Sequence, residues 1–561
     1  MMTRRVRKIA KLLMAGAALA AFSTSAQADQ LIENVDGIRI DENGQVDRFN
    51  ALHIGDDGRI VAVLDRRDKR PADVDYLLDA KGQVLLPGMI DAHVHVMDYG
   101  FARMTLDLSE TRSLEEALEA IRVFAEQNPA RPWILGRGWN QETWGLGRFP
   151  TAAELDSVVS DRPVWLQRAD NHAAWGNTLA LEAAGITAQT ADPAGGRIER
   201  LPNSREPSGV FVDEAEKLVG AVVPAPRPAE RDLALREAQE GLHAEGITAV
   251  ADMGTTIEDW QAFRRAGDRG ALTLRIMAYA AGADAMTLIG GPGPTPWLYD
   301  DRLRLNGVKL YLDGALGSRG AWLKQPYADD PGNTGLPLMS SATFRNTLVR
   351  AAQGGFQPAI HAIGTAANED ALSAIAEVSE SYSGDLRWRI EHAQIVDPVD
   401  IPTFGNHGII ASFQPVHQTS DRLMAEARLG PNRLEGAYAW ASVAATGARL
   451  AFGSDAPVER PDPFEGFAVA FTRTDANGEP FGGWRAQEAV SREAALRAFT
   501  SDAAYAGFAE GKFGRLVAGE RADFILVDRD PLLASPEDIR TITVRETWVG
   551  GKRVFASGEA Q

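Results

Sequence analysis

The run Leu86-Pro87-Gly88-Met89-Ile90-Asp91-Ala92-His93-Val94-His95 decides the fold. It is apolar along most of its length and closes on two histidines one residue apart. A strand repeats every two residues, so both imidazoles point to the same side, close enough to share one ion. Working outward, seven more apolar segments alternate with helical stretches: Gly246 to Met253, Leu274 to Ala280, Val308 to Asp313, Gln357 to His361, Arg387 to His392, Ile409 to Gln414 and Arg449 to Ser454. Strands that are apolar on both faces belong to a parallel sheet covered by helices. Counting Leu86 to Val96 as the first, eight such strands predict an α/β chain closed into a (β/α)8 TIM barrel, with its chemistry at the C-terminal strand ends.

The interval between the first and second strand is far too long for one βα unit, which predicts an inserted α+β subdomain over the active face at 101–230. Within it, Ser113-Leu114-Glu115-Glu116 reads as a capping-box helix start, and Trp133 to Trp139 and Val164 to Arg168 read as strands. Short alternating segments near both ends predict a β-sandwich built from the two termini, 29–85 plus 508–561, leaving 86–100 plus 231–507 for the barrel. Residues 1–28 read as a signal peptide: Arg4, Arg5, Arg7, Lys8 and Lys11, an apolar run from Leu12 to Phe22, and Ala26-Gln27-Ala28. That run is shorter than the ~20 residues of a membrane span, so the expectation is an exported chain, periplasmic or secreted, with no membrane anchor after cleavage.

Of 561 residues, 58 are Lys or Arg and 77 are Asp or Glu, a formal charge of −19. Phosphate backbones would repel such a chain, so nucleic acid is not an expected partner; a small-molecule substrate and a homodimeric second copy are. With no cysteine, any metal must be held by nitrogen and oxygen, among the nine histidines and the carboxylates.

Those ligand types recur at five predicted strand ends: His93 and His95, then Lys309, His361, His392 and Asp455. An ammonium inside a barrel strand is expensive to bury. Lys309 is therefore either ion-paired or snorkelling, or carboxylated by CO₂ to an anionic carbamate that bridges metal ions. Any one of the others taken singly reads as a core or loop residue; together they suit a borderline ion such as Zn²⁺. His172, Arg319 and His417 are candidates to stabilise an oxyanion, and Trp139, with Trp144 and Trp175, either walls the substrate pocket or forms the insert's own core. His53, His243 and His407 read as structural or solvated.

With these residues quoted, the chain resembles the amidohydrolase superfamily, in its amidohydrolase-3 branch of YtcJ-like and N-substituted formamide deformylase-like proteins. The likeness covers nearly the whole mature chain. It also includes Lys309-Leu310-Tyr311-Leu312-Asp313-Gly314-Ala315-Leu316-Gly317-Ser318-Arg319, Phe452-Gly453-Ser454-Asp455-Ala456-Pro457-Val458-Glu459, and in the insert Gly138-Trp139-Asn140, Pro150-Thr151-Ala152-Ala153-Glu154-Leu155-Asp156 and Asn171-His172-Ala173-Ala174-Trp175. The resemblance implies that His93, His95, Lys309, His361, His392 and Asp455 hold one or two Zn²⁺ ions or other divalent metals, with Lys309 N6-carboxylated. It implies hydrolysis of a C–N bond in an amide of N-acyl or formamide type, with Asp455 as proton shuttle. A lactonase or esterase could use the same centre. Deaminases of this fold commonly carry a glutamate three residues after the fifth-strand histidine and lack the lysine; here the position is Gly364. A non-catalytic periplasmic metal- or ligand-binding protein is the rival from another class. The family more often has Gly-Asp-Arg after the fifth-strand histidine, an aspartate missing from His361-Ala362-Ile363-Gly364-Thr365.

Overall fold

The computed structural model describes residues 29–41, 45–382 and 384–558. The signal-peptide reading of residues 1–28 lies outside them. Eight parallel strands run in sequence order through one sheet: Met89–Val94, Ile247–Thr255, Arg275–Ala281, Leu303–Tyr311, Gln357–Ala362, Arg389–His392, Ile410–Phe413 and Leu450–Phe452. Nearly every position in them is buried, as strands covered on both faces must be. The cylinder closes through the residues after the last strand. Asp455 N–H donates to the His93 carbonyl at 2.7 Å, and His95 N–H donates to the Ala456 carbonyl at 2.8 Å. Asp91 clamps the same seam, accepting from the His93 and Ser454 amides, both at 3.0 Å, and from the Ser454 hydroxyl at 2.5 Å.

The stretch expected as one strand, Leu86 to Val96, is two. Val84–Pro87 pairs antiparallel with Phe524–Val527 in the terminal sheet, and only Met89–Val94 belongs to the barrel. Gly88 is the crossing point, because a Cβ there would lie 2.3 Å from Thr248 Oγ1. The two termini therefore meet in one sheet. Its path runs Lys552–Ala556, Val544–Val549, Phe524–Val527, Val84–Pro87, Gln30–Ile40, Val46–Ile54, Ile60–Leu64, with Tyr76–Asp79 also paired to Gln30–Ile40. A register shift between Glu33 and Gly37 bends the long strand, so its first half pairs Tyr76–Asp79 and its second half Val84–Pro87. Phe49 and Ile54 from one end share a buried cluster with Phe524 and Trp548 from the other.

The insert carries its own six-stranded mixed sheet: Gly196–Arg200, Pro207–Asp213, Ala173–Gly176, Val164–Arg168, Ile134–Trp139 and Leu106–Asp107. Its helix Leu114–Gln127 starts as expected on Ser113, whose hydroxyl accepts the Glu116 amide at 3.2 Å. The return arm differs, since Glu116 accepts the amide of Arg112 rather than of Ser113. Ala117, Ile121 and Ala125 face the insert's core. The Arg137 guanidinium donates to the Pro457 carbonyl, tying the insert to the loop after the last barrel strand. Among the described residues no helix is long and apolar enough to cross a membrane.

Candidate metal centre

The six side chains singled out from the strand ends converge at one mouth of the barrel. Asp455 Oδ1 lies 3.1 Å from His95 Nε2 and 3.3 Å from His93 Nε2, and its Oδ2 lies 4.0 Å from His392 Nδ1. The Lys309 amine is 3.2 Å from His93 Nε2. The His361 and His392 rings stand 4.6 Å apart, and His93 and His392 4.7 Å. His417, expected only as a substrate contact, joins them, with Nε2 3.9 Å from Asp455 Oδ2. Two overlapping groups have ligand atoms mutually within 4.8 Å: His93, His95 and Asp455, and His392, His417 and Asp455.

Local backbone puts them there. His392, the last residue of its strand, and Asp455, three residues past its own, both sit at positive φ, 72° and 63°. The turn at His392 breaks the two-residue alternation, so Glu391 and His392 both reach the barrel interior instead of opposite faces. Glu391 accepts from His93 Nδ1 at 2.7 Å and is held by Arg389, whose Nε donates to its Oε1 at 2.5 Å. All three are wholly buried. Burial opposes the charge on Glu391, yet Arg389 and His93 outweigh it and hold the carboxyl far below its usual range. The carboxylate in turn orients the His93 ring, the support that metal-bound histidines receive from outer partners. Glu391→Gln should leave Arg389 a buried, unpaired cation. We expect a stability loss of about 3–5 kcal/mol, read from chemical denaturation.

The loop after His361, which lacks the Gly-Asp-Arg sequence, is anchored by a carboxylate that follows another strand. Asp313 accepts from the amides of Ile363 at 3.0 Å, Gly364 at 2.8 Å and Trp322 at 2.9 Å, fixing the loop that follows His361. Burial pushes this carboxyl up to about 7. Gly364 is packed so closely that a Cβ would stand 2.1 Å from the Trp322 carbonyl oxygen.

Electrostatics fit a cation. Burial lowers Lys309 to about 8, against the raising influence of Glu391 and Asp455. Burial opposes the charge on Asp455 too, but the surrounding imidazoles keep it well below the ordinary carboxyl range, so it is ionised. Among the described residues, Asp455 Oδ1, His361 Nε2 and His417 Nε2 are buried without a hydrogen-bond partner. Such atoms are costly unless something satisfies them. Nitrogen and oxygen donors facing one another at these separations are what a borderline divalent ion takes.

Around the mouth, His172 donates from Nδ1 to Asp213 Oδ1 at 2.7 Å, and its ring is 6.0 Å from that of His361. Burial disfavours its charge, but Asp213 overrides this and lifts it to about 9. Tyr311 went unnoticed in the sequence. Its ring lies 5.3 Å from His361 and 5.0 Å from the Lys309 amine, and it is exposed at the opening. Arg319 is occupied by Asp329, 2.8 Å from Nη2. Trp139 requires a correction. It is fully buried in the insert's core with Trp144 and Trp175, and its indole N–H donates to the Leu166 carbonyl at 2.8 Å, so it lines no substrate wall. Of the three bland histidines, His243 is a buried core residue bonded to Ile247 and Thr273, and His53 pairs with Asp29.

The amidohydrolase family model matches residues 77–555. The protein LONG AFTER FAR-RED 3 of Arabidopsis thaliana is 34% identical over 85% of this chain and 83% of its own length. An N-substituted formamide deformylase of Arthrobacter pascens is 28% identical over 85% of this chain and 89% of its own. Among solved structures, an uncharacterized metal-dependent hydrolase from Pyrococcus horikoshii OT3 superposes with a TM-score of 0.73 at 25% identity, covering 90% of this chain and 99% of that one.

Proposed function

This chain belongs to the amidohydrolase family of metal-dependent hydrolases, and from that starting point we propose that it cleaves the C–N bond of an amide, of N-acyl or formamide type. The carrying observation is the placement of Asp455. One ionised carboxylate stands within 4.0 Å of four imidazoles, between the two groups of ligand atoms. His93, His95, Lys309, His361, His392 and Asp455 would hold the metal, zinc in this reading, which supplies water activation near neutral pH and polarisation of a carbonyl.

The protein's own groups do the rest. Asp455 takes a proton from the attacking water and returns it to the departing nitrogen, so that amide and water become a carboxylic acid and an amine. Glu391 holds the His93 ring, and Asp313 holds the loop behind His361. His172, charged through Asp213, faces the opening and suits an oxygen that gains negative charge. The tight packing at Gly364 supports amide hydrolysis over deamination, because no side chain fits where deaminases place their glutamate. The Arthrobacter pascens relative, named for deformylating N-substituted formamides, points the same way. The test is hydrolysis of formamides, N-acyl amino acids, cyclic amides and lactones by the zinc-loaded protein. Turnover of an acyclic amide is expected. Turnover of lactones alone would move the reading to an esterase, and tight metal with no turnover would move it to a binding protein.

A further inference from the structure

Proximity alone makes His417 one more ligand, beside His392 and Asp455. The hydrogen bonds behind the rings separate it from them. A neutral imidazole has one N–H and one lone pair, so whatever faces one nitrogen fixes the other. His93 Nδ1 faces Glu391 Oε2 at 2.7 Å, and His392 Nδ1 faces Gln414 Oε1 at 2.8 Å. Both oxygens accept, and Gln414 is kept in that orientation by donating from its own amide nitrogen to the Ser412 carbonyl at 3.4 Å. Both rings therefore carry hydrogen on Nδ1, and the lone pair on His93 Nε2 is turned toward Asp455 and Lys309.

His417 is arranged the other way round. Its Nδ1 faces Gln394 Nε2 at 3.4 Å, and that same nitrogen donates to Asp421 Oδ2 at 3.3 Å. Asp421 Oδ2 also accepts the Tyr438 hydroxyl at 2.7 Å. An ionised carboxylate only accepts, so Asp421 aims the amide nitrogen of Gln394, not its oxygen, at this corner. Nδ1 of His417 is left as the acceptor, and the ring's hydrogen falls on Nε2. That nitrogen is buried and has no partner among the described residues. At 3.9 Å from Asp455 Oδ2 it is beyond hydrogen-bond reach of the carboxylate, which leaves it free to donate to an oxygen of the substrate.

We propose that Asp421 and Gln394 set His417 as the Nε2–H tautomer, making it the donor that holds the substrate's carbonyl oxygen as charge builds there, and not a metal ligand. The assignment rests on the hydrolase reading above and narrows it: Gln394 and Asp421 become positioning residues for a donor the ligand pattern does not include.

The test uses the full zinc-loaded protein. Elemental analysis of His417→Ala should find the same zinc per chain as the parent. Nitrogen-15 histidine spectra of the parent should show an Nε2–H ring that vanishes in His417→Ala and loses its single tautomer in Gln394→Met. With the best substrate of the amide and lactone panel, His417→Ala should lower kcat by about 10²–10³-fold, the cost of removing one oxyanion donor, with a much smaller change in KM. Asp421→Asn should lower kcat less and leave zinc unchanged. Loss of one zinc equivalent in His417→Ala, an Nδ1–H tautomer at His417, or an unchanged kcat would each overturn the proposal. If the parent hydrolyses nothing in the panel, the hydrolase reading fails on its own. The donor role falls with it, whereas the zinc content and the tautomer still show whether His417 is a ligand.

Discussion

Replacing Asp455 with asparagine is expected to lower kcat by about 10²–10⁴-fold, the range of a positioned general acid–base group, while metal stays bound and the fold is unchanged. Asparagine is the informative substitution for two reasons. Asp455 sits at φ 63°, a left-handed conformation that asparagine tolerates and most side chains do not. Asparagine also keeps an oxygen facing His93 and His95, so coordination survives while proton acceptance is lost. Alanine would confound both. The measurement is kcat and bound zinc on the same preparation, with thermal unfolding as a control. Undiminished turnover at full zinc content would remove Asp455 from proton transfer. Turnover lost in proportion to zinc would make it a ligand only.

The convergence of the candidate site was legible because strand geometry is simple. An apolar run that ends in His93-Val94-His95 has one way to present both rings, and Lys309, His361 and His392 each fall at or near the end of an apolar run of the same kind. What escaped was set by contacts between distant segments and by backbone turns. Glu391 precedes His392 in a strand, where alternation places neighbours on opposite faces; only the positive φ at His392 brings both inward. Asp313 lies 50 residues from Ile363, whose amide it holds, a contact between strand ends that no local pattern announces. Trp139 illustrates the opposite error. A tryptophan in an insert over an active face reads as easily as a wall as a core residue, and only its packing against Trp144 and Trp175 decides.

Metal-stripped protein is expected to regain activity with zinc faster when bicarbonate is supplied, and at a fixed concentration of dissolved CO₂ the rate should rise about tenfold per pH unit up to about pH 8 and then level off. The reasoning follows from where Lys309 sits. A carbamate forms when the neutral amine attacks CO₂, making an N–C bond and releasing one proton. The neutral fraction therefore grows with pH until pH passes the pKa. Burial has lowered that pKa to about 8, against the Glu391 and Asp455 charges that raise it. An ordinary lysine would continue the rise to about pH 10. The same shift has a sign for folding. A lysine lowered in the native state binds fewer protons there than in the unfolded chain between pH 8 and its model value of 10.5, so the metal-free protein should gain stability across that window. The gain is about 3 kcal/mol at most. Lys309→Met removes the buried ammonium. It should be more stable than the metal-free parent at neutral pH, show no such rise, and lose more activity than the 10–100-fold or so that an outer partner of a metal site is worth. Reconstitution indifferent to bicarbonate and pH, with Lys309→Met fully active, would return Lys309 to the role of a buried structural lysine.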